Sequence, residues 1–126
     1  MTDIRYLSRM INGVAVVTAP AEVDITSADQ LRAVLLYKAT QGHATVVVDM
    51  TGTRFCDSRG PHTLLRAHKL ALADGGGLRL VVPVDGAVPR IFALMRLDRF
   101  IPCFASLQEA LAPTAPRRTS EAIHAD

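Results

Sequence analysis

Residues 44–65 read ATVVVDMTGTRFCDSRGPHTLL. Three consecutive valines, Val46 to Val48, run into Asp49 and then a Thr51-Gly52 pair. A continuous β-branched run bounded by turn signals predicts a strand buried on both faces, as in a parallel sheet lying under helices. A short polar loop follows, and then Asp57 and Ser58 stand just ahead of Gly60 and Pro61. That is how a helix starts: a serine or aspartate oxygen accepts from the orphan amides, and proline is tolerated in the first turn. A buried strand, a loop and a capped helix make a βα unit, which sets the fold class.

Working toward the N-terminus, Gln41-Gly42-His43 reads as a helix end, with Gly42 as a left-handed C-cap. The helix before it carries Ala28, Leu31, Val34 and Leu35 at three- and four-residue spacing, with Ala39 next in the series and Asp24 or Thr26 as its cap. Val14 onward is a strand, and a weaker strand over Ile4–Met10 pairs with it through Asn12-Gly13, a strong hairpin signal. Toward the C-terminus, the helix from Gly60 to Ala73 places Leu64, Leu65, Ala67 and Leu72 on its core face, with His68 beside them. Its stop is the glycine run at 75–77. Leu78–Val84 is another strand. A third helix then carries Val88, Ile91, Phe92 and Met95, with Pro89 in its first turn. FIPCF (100–104) reads as an edge strand, because Pro102 cannot donate to a ladder. Ser106 and Glu109 have capping-box spacing at the head of a short last helix. A hairpin followed by alternating helices and strands predicts an α/β domain with a mixed sheet of about five strands and about four helices. The domain spans residues 1–112, and 113–126 is a polar, proline-punctuated tail expected to be disordered.

Composition narrows the function. The 126 residues, 49% hydrophobic and 21% charged, suffice for one domain with its own core. A formal charge of +2 is too small to announce nucleic acid, and 5% aromatic content with no tryptophan gives few stacking platforms. Cys56 and Cys103 form no CxxC and sit among apolar neighbours, as reduced, buried thiols do. No signal peptide and no apolar run of the roughly 20 residues a membrane helix needs are present, so no membrane insertion and a cytoplasmic location are expected.

The residues that could carry chemistry are few. There is no GxGxxG, no Walker Gly-Lys-Ser/Thr and no nucleophile elbow around Ser58, so neither nucleotide nor any other cofactor is expected. His62 and His68 lie about 120° apart around a helix. With Cys56 they make a poor metal set, and no metal site is expected. Two readings of Ser58 stay open. It is a plain N-cap, or it is a residue that something modifies, since a helix N-terminus tolerates a phosphate of about −1.5 to −2 charge. A third reading takes Asp24, Asp57 and Ser58 as a polar cluster for acid–base or ligand chemistry.

Taken with PAEVDITSADQLRAVL upstream and LLRAHKLALADGGGLRLVVP and VPRIFALMRLDRFIPCFASLQEAL downstream, VVVDMTGTRFCDSRG resembles the STAS family, in particular the bacterial anti-sigma factor antagonists. The likeness runs from about Val14 to Leu111. It implies the STAS fold, with a mixed sheet and helices packed mainly on one face, and a binding protein rather than an enzyme. The implied partner is an anti-sigma factor that is also a serine kinase of the histidine-kinase-like ATPase fold. Binding releases a sigma factor, phosphorylation ends it, and a PP2C-type phosphatase restores it. On the family motif Asp-Ser-Ser/Thr-Gly, Asp57 matches the acid, Ser58 the phosphoacceptor and Gly60 the glycine. Asp24 matches the acid beside the acceptor, Glu22 the glutamate before it, and Asp49 the acid ending the central strand. The chain departs at Arg59, where the family has Ser or Thr, at Pro61-His62, which replaces Leu-Gly, and at Ala21, which replaces a glycine. These neighbours, Glu22, Asp24, Asp57, Arg59, Gly60, Pro61 and His62, are the expected partner-binding surroundings of Ser58. The alternative is an unphosphorylated STAS scaffold in a transporter or a sensory complex.

Overall fold

The computed structural model describes residues 8–40 and 45–112. The expected start of the first strand at Ile4, the Gly42 cap and the tail at 113–126 lie outside the described residues. Strands β1 (Ser8–Ile11) and β2 (Val14–Thr18) form an antiparallel hairpin. Its two turn residues, Asn12 and Gly13, have φ of 53° and 79°. Two left-handed residues in a row suit the right-handed twist of the flanking strands. A two-residue strand, β3 (Glu22–Val23), leads into α1 (Ile25–Thr40), and β4 (Thr45–Asp49) follows. Another two-residue strand, β5 (Phe55–Cys56), leads into α2 (Arg59–Ala73) and β6 (Gly77–Val81). The chain ends with α3 (Ala87–Leu94), a 3-10 turn at Leu97–Arg99, β7 (Cys103–Phe104) and α4 (Leu107–Leu111).

The main sheet is mixed and five-stranded, in the order β1-β2-β4-β6-β7, with β1 antiparallel and the other pairs parallel. Side chains alternate across it with period two. Ala15, Val17, Val46, Val48, Leu78 and Leu80 point to the larger core, which they share with Leu31, Val34 and Leu35 of α1, Leu64 of α2 and Phe92 of α3. Val16, Val47, Val81 and Phe104 point to the other face, where α4 brings Ala110. Both faces of the central strand are therefore dry, as its valine run requires. The helices pack mainly on one face, and α4 is the exception. Arg79 fastens it there by donating to the carbonyls of Ala110 (2.9 Å) and Ala112 (2.8 Å) while lying over the Phe104 ring.

Some expected boundaries shift. The last inner strand ends at Val81, not Val84: Pro83 has no amide to donate, and Val84 is 76% exposed. Helix α2 starts at Arg59, so Pro61 is its third residue, still inside the turn where amides have no helical partner. The buried stripe of α2 is Gly60, Pro61, Leu64, Ala67, His68 and Ala71, whereas Leu72 is 54% exposed. The small Ala71 continues the spacing set by Leu64, Ala67 and His68, and Leu72 falls off that stripe. His68 is a satisfied core histidine, its Nδ1 accepting the Leu78 amide at 3.0 Å, which ties α2 to the start of β6. Cys56 is buried, but Cys103 on the edge strand is only half-buried.

Candidate functional site

The two short strands build the site. β3 and β5 pair in parallel, Glu22 with Phe55 and Val23 with Cys56, apart from the main sheet. Hydrogen bonds from Arg54 N–H to Ala21 (2.8 Å) and from Asp57 N–H to Val23 (3.1 Å) extend the register at both ends. Thr53 is buried beneath, its hydroxyl donating to the Pro20 carbonyl at 2.8 Å. Since each strand runs straight into a helix, the ladder sets the starts of α1 and α2 side by side. Asp24 and Asp57, far apart in the chain, are the residues that follow the paired positions.

Asp24 closes α1 thoroughly. Its Oδ1 accepts the amides of Thr26 (3.0 Å) and Ser27 (3.1 Å) and the Ser27 hydroxyl, while the Asp24 amide donates back to Ser27 Oγ. The one Ser27 hydroxyl proton is shared with the Glu22 carbonyl, whose oxygen lies nearer, at 2.6 Å. These bonds from Ser27, then Thr26, hold the Asp24 carboxyl below its ordinary value of 3.8. Of the two candidate caps, Asp24 is the one used and Thr26 is inside the helix.

Asp57 opens α2 differently. Its Oδ1 accepts the Arg59 amide at 2.9 Å, its carbonyl accepts the Gly60 amide at 3.0 Å, and Arg59 pairs with its carboxylate at 3.6 Å. Ser58 occupies the N-cap position with helical φ and ψ (−64°, −17°), yet its side chain makes no cap hydrogen bond and the residue is exposed. The simple reading of Ser58 as the hydroxyl cap therefore fails: of the two amide positions a serine there would reach, Gly60 donates to the Asp57 carbonyl and Pro61 has no N–H. The helix start survives as expected, with the cap displaced onto the acid.

Gly60 is fixed by packing. A Cβ there would run into Cys56 Sγ and touch Val23 Cγ1, so the first turn of α2 rests directly on the β3–β5 ladder. Burial first, and the neighbouring Asp57 second, push the Cys56 thiol up to about 11, so it stays protonated and unreactive at neutral pH. Pro61 is buried as well, and His62 and Glu22 are exposed. All seven expected neighbours thus belong to the β3/β5 ends and the adjoining first turn of α2. Asp49 lies elsewhere, at the end of β4, where Oδ1 accepts the amide and hydroxyl of Thr51 and builds a turn.

Sequence reasoning missed Ser27, Thr53 and the Cys56–Gly60 contact. It also missed a basic row on α2, legible as Arg59, Arg66 and Lys69 with His62 between them at helical spacing. These line an open groove between α1 and α2 that starts beside Ser58. Its charged lining is unlike the apolar cavity that a small-ligand site in the Asp24–Asp57–Ser58 cluster would need. Among the described residues, no three His, Cys, Asp or Glu side chains come together to hold a metal, and no helix is long and apolar enough to cross a membrane.

Comparison with known proteins agrees with this architecture. A family model described as the STAS domain matches residues 7–110. An anti-sigma factor antagonist from Mycobacterium paratuberculosis superposes with a TM-score of 0.76 at 26% identity, over 83% of this chain and 88% of that one. Bacillus SpoIIAA, also an anti-sigma factor antagonist, superposes in its unphosphorylated form with a TM-score of 0.63 at 21% identity, over 81% of this chain and 89% of its own. A structure of its phosphorylated form matches as well. Part of the murine anion transporter Slc26a9 is also similar, with a TM-score of 0.53 at 22% identity, over 68% of this chain but 14% of the transporter. No curated protein sequence matches.

Proposed function

The chain belongs to the STAS domain family, and on that footing we propose that it is a cytoplasmic anti-sigma factor antagonist switched by phosphorylation of Ser58. It binds an anti-sigma factor that is also a serine kinase, frees a sigma factor, and is reset by a PP2C-type phosphatase. It is a binding module and not a catalyst, since Asp24 and Asp57 serve as helix caps. The observation that carries this reading is the state of the Ser58 hydroxyl, which is exposed and makes no cap bond. A phosphate added there breaks no bond of the fold, and it places about −1.5 to −2 charge on the surface that meets the partner. The matched anti-sigma factor antagonists support the partner class.

The test is direct. The purified chain is incubated with ATP and each candidate anti-sigma kinase of its own organism, and any phosphate is located by intact mass and peptide mapping. Label at Ser58 is expected, with Ser58→Ala binding the kinase constitutively and Ser58→Asp at least about tenfold more weakly, a difference of about 1.4 kcal/mol. Equal binding by the two variants would sink the switch. A co-purifying partner without a kinase fold would instead establish the scaffold reading.

A further inference from the structure

The α1–α2 groove carries more positive charge than the fold can use. Arg59, Arg66 and Lys69 of α2 and Arg32 of α1 line it, all exposed, around a floor that includes Ala28 and Leu65. Helix α2 contains no carboxylate at all, and Asp29 is the only one in α1. Among the described residues Arg32, Arg66 and Lys69 have no ion-pair partner, and Arg59 reaches only Asp57. An ordinary solvated helix face mixes both signs at i,i+4 spacing, and its first turn favours acids because of the helix dipole. Here the first turn holds Arg59 and His62 and no acid. A helix that breaks both rules, with the Arg59–Asp57 pair as its one compensating ion pair among the described residues, marks a surface suited to something outside it.

We infer that this groove is the docking site for an acidic segment of a partner protein, one whose hold a phosphate on Ser58, as in the function proposed above, would weaken by cancelling the groove's charge. The row from Arg59 to Lys69 spans about 15 Å, the length of three helical turns. An acidic helix laid along α2 would match it. Nucleic acid is the poorer fit, because the row is short, faced across the groove by Asp29 of α1, and carried by a chain of formal charge only +2. Four cations against Asp29 and Asp57 leave a surplus of about two positive charges, close to what one phosphate of about −1.5 to −2 removes. The docking surface stands whether or not Ser58 is phosphorylated; only its regulation rests on the function proposed above.

The experiment titrates the isotope-labelled full chain with an alanine-based helical peptide bearing glutamates along one face, followed by amide chemical shifts. Shifts confined to the Arg32, Arg59–His62 and Arg66–Lys69 region are expected, together with loss of binding at high salt. Arg66→Glu with Lys69→Glu should weaken the peptide at least about tenfold. The equally charged control, Arg96→Glu with Arg99→Glu on the far 3-10 turn, should leave it unchanged, with circular dichroism confirming that both variants fold. Equal loss in the control pair overturns the site. So does tighter binding of duplex DNA or phosphatidylserine vesicles through the same residues, or equal binding of a lysine-for-glutamate peptide. If Ser58→Asp binds the peptide as the unmodified chain does while the reversal pair does not, the charge-cancelling switch falls and the docking surface remains.

Discussion

The two helix starts that the β3–β5 ladder sets side by side are built from the same residue type to opposite ends. At α1, Asp24 Oδ1 accepts from Thr26 and Ser27, and Ser27 is itself tied to the Glu22 carbonyl, so the capping side chains are committed to the fold. At α2, Asp57 supplies a single side-chain bond to the Arg59 amide and leaves the next residue's hydroxyl projecting without a cap bond. The first start is structural. The second keeps its serine accessible while a glycine packed on Cys56 holds the turn in place. The modification proposed for Ser58 would need both qualities, a rigid backbone and an uncommitted side chain.

The largest expected effect tests what holds the second start. Alanine at Gly60 should gain about 1 kcal/mol in helix propensity if there were room. Collision with Cys56 should cost about 1–3 kcal/mol instead. Urea unfolding of Gly60→Ala should therefore show a net loss, and pairing it with Cys56→Gly should recover much of that loss. A stabilised Gly60→Ala would mean that α2 does not rest on the ladder as described. Next comes the contrast between the two acids. Asp24→Ala should destabilise more than Asp57→Ala, which should cost about 1 kcal/mol as an ordinary cap loss. The reverse order would dissolve the distinction between the two starts.

Asp24 also makes the contrast visible in pH. Its carboxyl is held below 3.8 in the folded chain, so its contribution is fully present above that value and fades as pH falls through the lower, folded one. The stability gap between the unmodified chain and Asp24→Asn should be constant at neutral pH and close on acidification below about 4. A gap that widened there would reverse the sign. The smallest effect belongs to Ser58. Were its hydroxyl the cap, Ser58→Ala would lose about 1 kcal/mol. With Asp57 in that role, thermal and urea unfolding should shift by no more than about 0.5 kcal/mol.

Local patterns were readable where a physical rule acts over a few residues. Asn12-Gly13 demands a left-handed turn, Ser106 and Glu109 find the capping geometry their spacing implies, and the strand expected over 100–104 does lie at the sheet edge, though it is only Cys103–Phe104 and leaves Pro102 outside. Ser106 Oγ accepts the Glu109 amide, while Glu109 reaches back one residue further than its box requires, to the Ala105 amide. Misreadings arose where two neighbours were equally suited. Leu72 looked like core, and only the path of α2 over β6 chose Ala71. Ser58 looked like the cap, and only the phase of the helix start gave the bond to Asp57.

By itself the amino-acid sequence determined the order of elements, the hairpin, the buried central strand and the presence of a serine at a helix start beside an acid, because each follows from side-chain periodicity or from one residue's backbone preference. Tertiary structure decided the rest. Two-residue strands carry no periodicity, so the β3–β5 ladder exists only as a pairing between distant segments, and it is this pairing that sets Asp24 beside Asp57. The same holds for the groove. The row of cations on α2 is a property of one helix, but a surface that Arg32 completes and Asp29 bounds exists only once α1 is packed beside it.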